Sequence, residues 1–273
     1  MCSNYKPVTL QDRLLAHFGV VRPDDASPPE TYVGFASPFI IRDDHKAELA
    51  AQCVSGQFGL VPEWAEDLVY GRKTYNCRTE TMRTKASFKE AWFSGHRCVI
   101  PAELLYEDNW ESGDPVRWAV KQRNGDPMAV AGLWGMWRDQ HGIEVLSFTM
   151  LTVNADGHGV YDRLHEPGFE KRMPVILRME DRLDWLYCPV ADAGKYLQRF
   201  PAELLETYPE PAPWKKLPEP ASWANAPDMF EDEWRDAAVD PEARMLKARR
   251  FRPKSKAPAA PESPPPTTGD LFD

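Results

Sequence analysis

Three runs in the middle of the chain constrain its fold most tightly: MAVAGLWGMW at 128–137, VLSFTMLTV at 145–153 and PVILR at 174–178. Each is apolar and β-branched or aromatic, and each is bounded by Gly, Asp or Pro, the pattern of strands buried in a sheet. Helical spacing of apolar residues occurs instead at 46–54, 87–94 and 180–188. In the second of these, Ser87 followed by Glu90 has the form of a capping box. Strand-like and helical segments do not alternate regularly and no internal repeat is visible. The fold class expected is therefore α+β, with one domain over residues 2–235, rather than a doubly wound sheet.

A hydrophobic fraction of 42% supports a sizeable core. From residue 253 onward the chain is rich in Pro, Ala, Ser and Thr with no large apolar residue until Leu271 and Phe272, so it cannot bury enough surface to fold. Residues 236–273 are accordingly expected to form a tail, basic at first and then Pro-rich and disordered. The basic part, 243–256, is read as solvated. The closing Gly-Asp-Leu-Phe-Asp is a weak signal for docking into a protein partner.

The five cysteines (Cys2, Cys53, Cys77, Cys98, Cys188) are odd in number and lack C-x-x-C pairing, which points to neither a disulfide framework nor a structural zinc site. A reducing, cytoplasmic setting fits them. The start of the chain lacks a basic and then apolar secretory pattern, and no window approaches about 18 uninterrupted apolar residues, so no membrane association is expected. A monomer is expected. The net charge of -9 argues against coating nucleic acid non-specifically, but its distribution is uneven. Residues 71–100 carry seven cations (Arg72, Lys73, Arg78, Arg83, Lys85, Lys89, Arg97) against Glu80 and Glu90, a local basic stretch in an acidic protein.

Cys2 follows the initiator Met1, so loss of one residue leaves an amine and a thiol on adjacent carbons. Reference pKa values of about 7.7–8.0 for the amine and about 8.5 for the thiol leave both partly available at neutral pH. An aldehyde is the natural target. The amine forms a Schiff base, and the thiol closes a thiazolidine ring that an internal cysteine cannot make.

Several blocks then occur in a fixed order. Phe58-Gly-Leu-Val-Pro-Glu-Trp64 is followed by Tyr75-Asn-Cys-Arg-Thr-Glu-Thr81, then by Arg97-Cys-Val-Ile-Pro-Ala102 with Tyr106-Glu107. Ala131-Gly-Leu-Trp134, Phe148-Thr-Met-Leu-Thr152 and Arg172-Met-Pro-Val-Ile-Leu177 complete the series. With a cysteine at position 2, this order resembles the SOS response-associated peptidase (SRAP) family over residues 2 to about 188. The resemblance implies a strongly curved, barrel-like mixed β-sheet core with flanking helices. It makes Cys2 the nucleophile, Asn76 a hydrogen-bonding residue that orients the N-terminus and an opened sugar, and Glu107 the acid/base.

His165 is the histidine expected in the site and His158 its competitor, because the family's H-D-R-M-P is interrupted here: His165 and Arg172 are separated by Glu-Pro-Gly-Phe-Glu-Lys. Pro167 and Gly168 mark that insertion as a loop. Arg78, Arg83 and Lys85 are the expected phosphate contacts, and Trp64 is either a stacking face for an unpaired base or a packed core residue. The chain departs from the family at Ser3-Asn4, where Gly-Arg is usual, and its Phe35-Ala-Ser-Pro38 only faintly echoes the family's N-x-A-P.

The implied function is covalent capture of abasic sites in single-stranded DNA after self-removal of Met1, with possible abasic-site lyase activity and with neither metal nor cofactor. Two alternatives stand beside it. One is an N-terminal nucleophile amidohydrolase or peptidase, and the other a non-catalytic single-stranded DNA-binding module.

Overall fold

The computed structural model describes residues 2–23, 28–46 and 49–210. In chain order the elements are β1 (Asn4–Pro7), α1 (Gln11–Phe18), β2 (Thr31–Tyr32), β3 (Ala36–Arg42), β4 (Ala51–Phe58), β5 (Asn76–Arg78), α2 (Ala86–Phe93) and β6 (Arg97–Asn109). There follow β7 (Val116–Gln122), β8 (Met128–Arg138), β9 (Glu144–Asn154), β10 (Arg172–Pro174), β11 (Ile176–Leu177), α3 (Arg182–Tyr187) and β12 (Leu205–Pro209). The expected α+β class holds.

Strands β8, β9, β4, β3 and β6 follow one another, and β6 pairs back onto β8, so the sheet closes into a barrel. Closure removes exposed strand edges. The barrel is mixed because β4 runs parallel to β9 while its other pairings are antiparallel. Phe39, Phe58 and Phe148 fill it, with centroids 4.9 Å apart for Phe39–Phe148 and 5.5 Å for Phe58–Phe148. Helix α3 covers the barrel beside β6: Trp185 Nε1 donates to Cys98 O (2.9 Å) and Arg97 Nε to Trp185 O (2.6 Å).

The apolar runs at 128–137 and 145–153 form β8 and β9, which pair from Gly132 opposite Met150 to Arg138 opposite Glu144. The third run is split between β10 and β11. Two local expectations were wrong. Residues 51–54 belong to β4, not to a helix, because they pair with Phe39–Arg42 of β3; cross-strand packing overrides an apolar spacing that a short helix and a strand share. The Ser87 capping box does not form either. Helix α2 begins one residue earlier, with Lys85 at the cap and no side-chain cap bond, while the Ser87 hydroxyl pairs with Tyr70 Oη at 2.9 Å. The tail at 236–273, its basic segment and the stretch 211–235 lie outside the described residues.

Three pairings position the site. Strand β1 runs antiparallel to β6 with Tyr5 opposite Leu105, which carries the start of the chain alongside Glu107. An isolated bridge joins Asn109 to Leu164 and so brings His165 to the same end of β6. Strand β5 lies parallel to β9, with Asn76 opposite Met150. The turn leading into β5 depends on a close contact: a Cβ at Gly59, where φ is +119°, would sit 2.3 Å from Gly71 O, so neither backbone tolerates a side chain there.

Candidate active site

Asn76, at the first position of β5, donates from Nδ2 to the carbonyl of Cys2 at 2.8 Å and ties the chain start to the barrel. Cys2 is fully buried, and its thiol donates to Asn4 O at 3.2 Å. Burial, reinforced by the nearby Glu107 carboxylate, pushes the thiol well above its ordinary range, so at neutral pH it is the protonated thiol. An opened sugar reaches Cys2 only if covering groups give way.

Glu107 is likewise buried, and burial raises its carboxyl to about 7. A carboxyl with that value both accepts and returns protons near neutrality. His165 Nε2 lies 3.6 Å from Glu107 Oε2, and the two side chains are 8% and 4% exposed. Burial lowers His165 to about 3, so its ring is neutral. Its backbone has φ +147°, a conformation a non-glycine residue rarely adopts and one that marks stored strain at a site. The expected four residues, Cys2, Asn76, Glu107 and His165, are therefore brought together.

His158 does other work. Its Nδ1 accepts from the backbone N–H groups of Val160 (3.3 Å) and Tyr161 (3.1 Å), and its Nε2 donates to Phe200 O at 2.8 Å. Both nitrogens are satisfied in the backbone, and the ring shapes the turn that precedes His165. Sequence reasoning missed Tyr161 and Tyr75. Both lie within electrostatic reach of Cys2 and Glu107, and burial raises both phenols. Tyr161 falls in a short turn with no apolar period, so its only sequence signal is its place four residues before His165.

Of the expected DNA contacts, Arg78 is exposed, and strand alternation places it on the same face of β5 as Asn76, with Cys77 turned into the core. Arg78 Nη1 pairs with Glu170 of the insertion at 2.7 Å. Arg83 and Lys85 are exposed on the turn between β5 and α2, where the Arg83 guanidinium lies 5.4 Å from the Trp92 ring centroid. Trp64 is 52% exposed and meets Tyr70 edge-on with centroids 5.0 Å apart, so its face is not packed in the core. Among the described residues, no three His, Cys, Asp or Glu side chains gather as a metal would need.

The curated protein YoqW of Bacillus subtilis (strain 168) is 32% identical over 158 residues, 56% of this chain and 66% of its own length. HMCES of Xenopus tropicalis is 29% identical over 178 residues, 56% of this chain and 50% of its own length. Both are named abasic site processing proteins, and the match spans less than two thirds of either. A crystal structure of a protein from Bordetella bronchiseptica, 32% identical, superposes with a TM-score of 0.72, covering 77% of this chain and 100% of that one. A second, from Bacteroides thetaiotaomicron, shares the fold at 20% identity with a TM-score of 0.67, covering 88% and 97%. The family model described as SOS response associated peptidase matches residues 1–211. The chain therefore belongs to the SOS response associated peptidase (SRAP) family.

Proposed function

We propose that this chain, once Met1 is removed, captures the ring-opened aldehyde of an abasic deoxyribose in single-stranded DNA as a thiazolidine on Cys2. The observation that carries this reading is the convergence of Asn76, Glu107 and His165 on the residue that becomes the N-terminus. The names of the relatives support the abasic site as target.

Removal of Met1, by Cys2-dependent self-processing or by an aminopeptidase, turns the Cys2 amide nitrogen into an amine. The amine adds to the aldehyde carbon, the carbonyl oxygen takes a proton, and its departure as water leaves an imine. The thiol then adds to the imine carbon while its proton passes to nitrogen. Ring closure thus releases one water in total. Glu107, near half-ionised at neutral pH, takes the proton shed by the attacking nitrogen and delivers one to the leaving oxygen. The order of attack follows from the protonated thiol, which is the weaker nucleophile until the imine is in place. The crosslink would shield the lesion from strand cleavage, and the same imine is the entry to lyase chemistry. Arg78, Arg83 and Lys85 supply cations for phosphates, and exposed Trp64 a face for an unpaired base.

A non-covalent single-stranded DNA-binding role is the second reading, favoured by the complete burial of Cys2. Incubation with an abasic single-stranded oligonucleotide, followed by denaturing electrophoresis, separates the two. The first reading predicts a heat-stable adduct with wild type and none with Cys2→Ala. Retained binding without any adduct would favour the second.

A further inference from the structure

Buried polar groups are almost always hydrogen-bonded, so an exception calls for an explanation. Near Cys2 there are several. Among the described residues, Tyr161 Oη, Asn76 Oδ1 and both ring nitrogens of His165 are buried with no hydrogen-bond partner. Tyr161 is fully buried, and its placement is not accidental. Its backbone N–H is held by His158 Nδ1, its ring packs beside the His158 ring with centroids 5.7 Å apart, and His158 is itself anchored to Phe200 O. A rigid side chain is thus fixed with its only polar atom idle.

The reaction described above needs a donor placed at the reacting oxygen. When the amine adds, negative charge grows on the former carbonyl oxygen, and a pre-placed donor there lowers the barrier. One of the two amide N–H groups of Asn76 is given to Cys2 O. His165 faces the Glu107 carboxyl. Tyr161, packed in the same core as Cys2 and within electrostatic reach of Cys2 and Glu107, is a buried donor with no partner.

We propose that the Tyr161 hydroxyl donates a hydrogen bond to the substrate's aldehyde oxygen, holding it while the Cys2 amine adds and until that oxygen leaves as water. This rests on the aldehyde-capture reading. Tyr161 forms no covalent bond and keeps its proton, because burial places its ionisation well above the working range. The proton that the oxygen acquires comes through Glu107.

Tyr161→Phe removes the hydroxyl and keeps the ring. The initial rate of adduct formation with an abasic single-stranded oligonucleotide is expected to fall at least about tenfold. Affinity for the same oligonucleotide carrying a reduced abasic residue, which has no aldehyde, is expected to stay within about twofold of wild type. The thermal midpoint should hold or rise, since an unpaired buried hydroxyl is lost. A wild-type adduct rate in Tyr161→Phe would overturn this proposal alone. A lowered midpoint with proportionate loss of DNA binding would assign Tyr161 a structural role and overturn it too. No adduct from wild type would overturn both this proposal and the reading beneath it.

Discussion

The polar cluster around Arg172 and the one around Cys2 both abut the β5–β9 region, yet they are finished differently. Arg172 Nη1 donates to Glu80 (2.9 Å) and Glu170 (2.7 Å), and Nη2 to Glu80 (2.9 Å), to Thr152 O (2.6 Å) and to Thr152 Oγ1 (3.2 Å). Its two carboxylates are held below their ordinary range by those bonds. Around Cys2, by contrast, more is left idle: Tyr161 Oη, Asn76 Oδ1 and both His165 ring nitrogens are buried without a partner, whereas the Arg172 guanidinium leaves only its Nε so. A mostly met network holds strands together, whereas idle buried donors and acceptors lower stability and are ready for a guest. Chemistry is therefore assigned to the second cluster and scaffolding to the first.

Substitutions can break that division. The largest effect is expected at Glu107. Glu107→Gln should slow adduct formation roughly 100-fold, the scale of general acid–base catalysis, while leaving the fold intact. It should also change how stability depends on pH. The folded state keeps a proton on Glu107 up to about pH 7, while an unperturbed carboxyl sheds it near 4.5. Over that window the native state binds more protons, so this group's contribution to stability declines as pH rises. His165 acts the other way: its lowered value, about 3 against 6.5, makes stability rise with pH between those limits. Thermal melts of Glu107→Gln should lose the decline between about pH 4.5 and 7 and keep the rise. An unchanged profile would mean that Glu107 is not held protonated in the fold.

Arg172→Leu should give the converse. It removes the guanidinium from Thr152 and from both carboxylates and separates β10 from Glu80, lowering stability by about 2–4 kcal/mol in denaturant titration. Glu80 and Glu170 are partly exposed and can rehydrate, which keeps the loss below that of an isolated buried charge. Equal losses of stability in Arg172→Leu and Glu107→Gln would erase the distinction between the two clusters.

The residues of the candidate site were more legible in the sequence than the boundaries of the fold. Asn76 and Glu107 sit in blocks whose order is legible, Cys2 is marked by its second position and His165 by the interrupted block it precedes, and the strands at 128–137 and 145–153 are long enough for their composition to decide. The segment 46–54 failed because its short apolar pattern suits helix and strand alike until β3 supplies a partner. Ser87 failed because Tyr70, distant in sequence, claims its hydroxyl. The capture of Arg78 by Glu170 and the idle hydroxyl of Tyr161 are properties of packing, with no local signature to read.

Mapping the covalent attachment point tests the central claim most directly. Wild-type protein is incubated with abasic single-stranded DNA, digested, and its N-terminal peptide weighed. The account predicts a peptide beginning at Cys2, without Met1, that has gained the opened sugar residue less one water. Attachment to a lysine such as Lys85, or an adducted peptide that still carries Met1, would contradict it.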